Sequence, residues 1–200
     1  MLESIQQIDK DLFILIHHGI ANPVFDFIMP ILREAKTWIP LYLFFAFFAI
    51  YKYKVKGLYL LFATALVVLL ADQFASGFMK PTFERLRPCN EPSLQEYMRN
   101  LIGCGGLYGF VSSHAANHFG MAVIFTWFFK NIKEGIWQNW VFYFWAAAIS
   151  FAQIYVAKHY PLDVIVGGLA GFLIAKGILF TFNRYIYSDK ELETKYQEFK

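Results

Sequence analysis

Five runs of mostly apolar residues, roughly 36–52, 57–79, 112–130, 137–158 and 162–183, occupy about half of this 200-residue chain and leave it few folds to adopt. A hydrocarbon layer of ~30 Å is crossed by about 20 such residues in a helix. Inside lipid the backbone must satisfy its own hydrogen bonds, so a spanning segment is a helix or part of a closed barrel. Tight turns such as Tyr51-Lys52-Tyr53-Lys54-Val55-Lys56 make successive runs antiparallel. The expected fold class is therefore all-α: a polytopic membrane helical bundle with five transmembrane helices, and with room for a sixth. Only 16% of the residues are charged, against about 25% in soluble domains, which agrees with membrane residence. The net charge of +3 is small and its basic residues are dispersed, so nucleic acid is not an expected partner.

The whole of 1–200 reads as one domain. Its N-terminal part, 1–35, is apolar in patches but broken by His17, His18, Asn22, Pro23 and Asp26, which suits an amphipathic helix lying in the interface. Glu3, Asp9, Lys10 and Asp11 precede any apolar run, so no cleavable leader is expected. The one long irregular stretch, 81–111, carries Pro81, Pro88 and Pro92 and a cluster of glycines. A loop of that size in a compact chain is functional or disordered. The end of the chain, 188–200, reads as a charged, solvated tail.

Alternating spans bring Lys80, the 81–111 loop, Ser112, His159 and Asp163 to one face. The other face receives Lys52, Lys54, Lys56, Lys130, Lys133 and Arg184, which makes it the cytoplasmic one. Arg33, Lys36, Arg85, Arg87 and Arg99 remain on the first face, where an anionic ligand would account for them. Cys89 and Cys104 lie within the same loop. They either close a ring of about fifteen residues in an oxidising compartment or stay two separate thiols.

Three polar clusters sit at span ends. Lys80 and Arg87 bring two cations to one loop, and a guanidinium matches phosphate oxygens with a planar fork of donors. Ser112 is placed to cap the helix that Ser113 and His114 open, where free N–H groups attract anions. His159 is followed four residues later by Asp163, a spacing that lets a carboxylate fix the tautomer of an imidazole whose other nitrogen attacks an electrophile. Each cluster also has a plainer reading, as headgroup anchor, helix cap or ion pair. Arg85 reads as a further phosphate ligand or, by preference, an interfacial anchor.

Together the clusters resemble the type 2 phosphatidic acid phosphatase superfamily, which includes lipid phosphate phosphatases and vanadium haloperoxidases. Its pattern is Lys, six residues, Arg-Pro; then Pro-Ser-Gly-His; then Ser-Arg, five residues, His, three residues, Asp. Lys80 to Arg87-Pro88 fits the first block. Ser112 and His114 fit the second, with Val111 and Ser113 replacing its proline and glycine. His159 and Asp163 fit the third, but Ala152 and Gln153 stand at the Ser-Arg positions. The resemblance implies that His159 attacks phosphorus to form a phosphohistidine, that Asp163 orients it, and that His114 protonates the leaving oxygen and then activates water. Lys80, Arg87, Ser112, Ser113 and Gln153 would bind the phosphoryl oxygens. No metal or other cofactor is implied.

The substrate expected is a lipid phosphate or pyrophosphate, with undecaprenyl pyrophosphate as first choice and phosphatidylglycerol phosphate and lipid A phosphates as further candidates. The bacterial inner membrane, with the site facing the periplasm, is the expected location. Gln153 removes a cation, which implies slower turnover, a pocket suited to another headgroup, or a non-catalytic lipid-binding or transport protein. A metal enzyme built on His114, His118, His159 and Asp163 is disfavoured because Lys80 and Arg87 would repel the ion.

Overall fold

The computed structural model describes residues 2–131 and 138–185; the expected tail at 188–200 and Lys133 lie outside the described residues. The described chain is helical, with a lone bridge between Leu86 and Tyr108 as its only β pairing. Eight α-helices follow in order: α1 (Leu2–Ile14), α2 (Pro23–Arg33), α3 (Ala35–Tyr53), α4 (Val55–Asp72), α5 (Lys80–Phe83), α6 (Ser113–Asn131), α7 (Gln138–Tyr155) and α8 (Pro161–Tyr185).

Five long helices thus stand where the apolar runs foretold them. Length and apolarity together qualify two of the described helices as spans, Val55–Phe83 and Pro161–Phe182. The bent pair Glu3–Gly19 and Pro23–Arg33, which turns by 116°, makes a third if it acts as one broken span. This is fewer than the five expected. α3 dilutes its apolar residues with Lys36, Lys52 and several tyrosines, and α6 opens on Ser113, His114, Asn117 and His118. Ser113 and His114 belong to the site described below.

α4 and α5 form one continuous rod, joined by a π-helical stretch at Gln73–Met79. Pro81 has no N–H to offer the carbonyl four residues back, so the regular ladder is interrupted just before it. The rod ends at Glu84, whose φ of 46° is left-handed.

The close centre of the bundle is α6 against α8. A Cβ on Gly171 would lie 1.9 Å from the Ala116 carbonyl oxygen, and one on Gly167 would lie 2.5 Å from that of Ser112. Only glycine lets these backbones approach so far, which sets the mouths of α6 and α8 at one level. The apolar core below them joins Val67, Val123, Ile124, Phe128 and Leu179 from three helices.

The N-terminal pair is more than an interfacial cover. Asn22 caps α2 by accepting from the Phe25 N–H at 2.9 Å, and Pro23 suits its first position. Buried His17 holds the Tyr155 carbonyl through Nδ1 at 2.6 Å and accepts the Arg99 N–H on Nε2 at 3.0 Å, which fixes its tautomer. Met29 packs on Ala152, Tyr155 and Val156, so α2 lies along α7.

Candidate active site

α8 begins at Pro161, and its third residue is Asp163. The Asp163 carboxylate reaches back to accept the Tyr160 N–H at 2.9 Å, as an acidic third residue does when it caps its own helix. It is fully buried, and its other oxygen takes Arg85 Nη1 at 2.7 Å. Arg85 in turn gives Nη2 to Asp9 at 2.6 Å, and Asp9 also accepts the Leu162 N–H at 2.8 Å. An Asp9–Arg85–Asp163 chain therefore ties α1 to the start of α8. The interfacial-anchor reading of Arg85 is corrected here: its guanidinium is spent on two carboxylates and lies over the Tyr160 ring at 4.0 Å. The clue was available in the first block, which holds two arginines, but nothing in the sequence pairs either with Asp9.

His159 lies in the short turn between α7 and α8 and is 2% exposed. Its Nδ1 faces Asp163 Oδ2 at 3.6 Å, near enough for attraction but too far for a hydrogen bond. Burial lowers the affinity of this imidazole for a proton, the Asp163 carboxylate works the other way, and Arg87 and Lys80 reinforce burial. The neutral ring, the form that can attack, is thereby favoured.

Ser112 caps α6 as expected, accepting the Ala115 N–H on Oγ at 3.4 Å. Its own N–H donates to the Asp163 carbonyl at 2.9 Å, which brings the second and third blocks together. His114 follows Ser112 by two residues, so that bond brings the mouth of α6 to the start of α8, just after His159. Lys80 reaches the same place from the rod, donating to Ser76 Oγ at 2.9 Å and Ser113 Oγ at 3.0 Å.

Arg87 is held by backbone carbonyls, with Nε on Tyr108 at 3.0 Å and Nη1 on Cys104 at 3.4 Å. Cys89 and Cys104 are joined by a disulfide, with Cα atoms 5.8 Å apart, which fixes the strand of loop that supplies one of these carbonyls. Gly109 sits where a Cβ would press on both Arg87 Cγ and Asp163 Oδ2 at 3.2 Å.

Helix α7 stops at Tyr155, and Ala157 takes a left-handed φ of 61°. This turns Lys158 into the site, where its ammonium donates to the Gly103 and Cys104 carbonyls. Burial, then the charges of Arg33 and Arg87, bring its pKa down to about 8. Gln153 is 1% exposed, and neither of its amide atoms has a hydrogen-bond partner among the described residues.

Helices that stand in lipid and a chamber where cations surround a buried imidazole define a class, the integral-membrane lipid phosphatases. The family model of the PAP2 superfamily matches residues 56–187, and the chain belongs to that superfamily. It is 31% identical over 189 residues to a lipid A 4'-phosphatase of Porphyromonas gingivalis, covering 94% of this chain and 77% of that protein. A lipid A 4'-phosphatase of Bacteroides thetaiotaomicron is 32% identical over 175 residues, covering 86% and 75%. Two crystal structures share the fold. Aquifex aeolicus LpxE has a TM-score of 0.62 and 24% identity over 84% of this chain and 93% of its own. A transmembrane PAP2-type phosphatidylglycerolphosphate phosphatase from Bacillus subtilis has a TM-score of 0.70 and 19% identity over 93% and 89%.

Proposed function

We propose that this protein hydrolyses the phosphate monoester at the 4' position of lipid A through a phosphohistidine. Nε2 of His159 attacks phosphorus while the bond to the sugar oxygen breaks, and His114 gives that oxygen its proton. His114 then takes a proton from water, whose oxygen displaces His159 and releases inorganic phosphate. Asp163 steadies the cation that forms on the His159 ring, and Lys80, Arg87 and the N-terminus of α6 hold the phosphoryl oxygens, where most of the rate in phosphoryl transfer arises. The observation that carries this reading is the bond from Ser112 N–H to the Asp163 carbonyl, which couples the acid's helix to the helix that the nucleophile's turn leads into.

The names of the two relatives favour lipid A over undecaprenyl pyrophosphate, the first expectation. The chemistry proceeds without a metal. Both ring nitrogens of His118, the histidine next to His114 on α6, are engaged, by Tyr42 Oη at 3.1 Å and the His114 carbonyl at 2.8 Å. An inner-membrane location with the site open to the periplasm fits the disulfide beside the chamber.

The test is inorganic phosphate release by the detergent-purified protein from lipid A, undecaprenyl pyrophosphate and phosphatidylglycerol phosphate, each with and without a chelator. Lipid A bearing a 4'-phosphate should be the preferred substrate, chelator should leave the rate intact, and His159→Ala should lose roughly 10³-fold or more. Equal rates for His159→Ala and wild type, or no release from lipid A, would overturn the reading.

A further inference from the structure

Gln153 leaves the chamber one cation short of the pattern its family carries, and the structure offers a replacement from another part of the chain. The other basic groups near the site are committed. Arg85 holds Asp9 and Asp163, Lys158 is anchored on two carbonyls, and Arg99, though its Nε and Nη2 lack partners, is neutralised by Asp26 at 2.6 Å.

Arg33 is different. It is the last residue of α2, one helical turn after Met29, whose side chain packs on Ala152 and Val156 of α7. Residues four apart share a helix face, so Arg33 is directed to the same side of α2 as Met29, beside the helix that carries Gln153. Its Nε is buried and has no hydrogen-bond partner, and no ion pair involves it among the described residues. Its charge acts on His114, on Arg87 and on Lys158, groups contributed by three other segments. Glu34 is the one carboxylate that acts on Arg33 in return.

A half-buried guanidinium with a buried, idle Nε, set among like charges and attracted by Glu34 alone, is poorly compensated in the unliganded protein. An anion among these cations reverses that balance.

We propose that Arg33 stands in for the missing third-block arginine, binding the non-bridging oxygens of the transferring phosphoryl group from α2 rather than from α7. This rests on the phosphatase reading for its role in turnover, but not for its role in anion binding. Arg33 lies outside the 56–187 stretch that the family model matches, so the family pattern assigns it no part. Gln153 then fills, as a neutral amide, the space that a second guanidinium would contest.

Orthovanadate, a phosphate mimic, is the probe, used with the full-length protein in detergent. Arg33→Met should weaken vanadate binding about 10-fold or more, read as loss of the vanadate-induced rise in Tm, and should lower kcat/KM about 10²-fold. Its Tm without ligand should hold or rise, because a like charge has been removed. Arg33→Lys should keep part of the affinity, and Arg33→Met/Gln153→Arg should regain much of both affinity and rate.

Unchanged vanadate affinity in Arg33→Met would overturn the proposal. So would a fall in unliganded Tm with no recovery on adding Gln153→Arg, since that marks a packing role. If wild type binds vanadate through Arg33 yet releases nothing from lipid A, the anion site stands and the substrate assignment falls.

Discussion

At the scale of single residues, function here depends on where a charge is held as much as on which residue bears it. Lys158 donates to the Gly103 and Cys104 carbonyls, and its pKa of about 8 follows from burial first and from the charges of Arg33 and Arg87 second. The sign is plain: below pH 8 the ammonium is charged and adds to the anion's attraction, and above it the amine is neutral. Inorganic phosphate keeps its dianion form from about pH 8 to 11, so its affinity as a competitive inhibitor should weaken as pH rises through 8. Lys158→Arg stays charged throughout and should abolish that decline; an identical profile in both proteins would refute it. His159 shows the converse effect, since burial disfavours its protonation and keeps the ring in the neutral form that the proposed attack requires.

Among elements, α1 does something its sequence scarcely suggests. Asp9 is 4% exposed, braces Arg85 and satisfies one of the free N–H groups at the start of α8. Asp9→Ala leaves Arg85 with one carboxylate and α8 without that bond. Unpairing a buried ion costs about 3 kcal/mol, so Tm should drop by several degrees and kcat should fall with it as Asp163 loses its brace. Asp9→Asn, which still accepts from Leu162, should lie between; wild-type Tm and kcat in both variants would show that α1 merely covers the site. The α6–α8 crossing was partly legible, because Gly167 and Gly171 are spaced one turn apart on one helix. Which backbone they admit was not, since a small residue marks a close approach without naming the partner.

Across the whole molecule, the site is assembled from α1, the rod of α4 and α5, the loop, α6 and the α7–α8 turn. The Cys89–Cys104 bond closes fifteen residues of that loop, whose carbonyls hold Arg87 and Lys158. Closing such a ring is worth about 3 kcal/mol in the chain-entropy model. Cys89→Ser/Cys104→Ser should therefore raise KM, speed proteolysis within 81–111 and lower Tm by several degrees. If the site faces the periplasm, a membrane-impermeant reductant added to whole cells should expose both thiols to an impermeant maleimide; labelling only after lysis would put the loop on the cytoplasmic side.

Helix positions were already determined by the sequence, because apolar runs of membrane length admit little but helices, and Lys80, Arg87, Ser112, His114, His159 and Asp163 already stood out as candidates because they keep their family spacing. The span count was less legible, since lysines and tyrosines in α3 and polar residues at the start of α6 blur the apolar signal. What only tertiary structure decided was partnership between distant segments: Asp9 with Arg85, Arg33 with the chamber, His17 with the end of α7. Such contacts depend on the angle at which helices cross and the turn at which each one stops, and neither is written in the order of residues along any one helix.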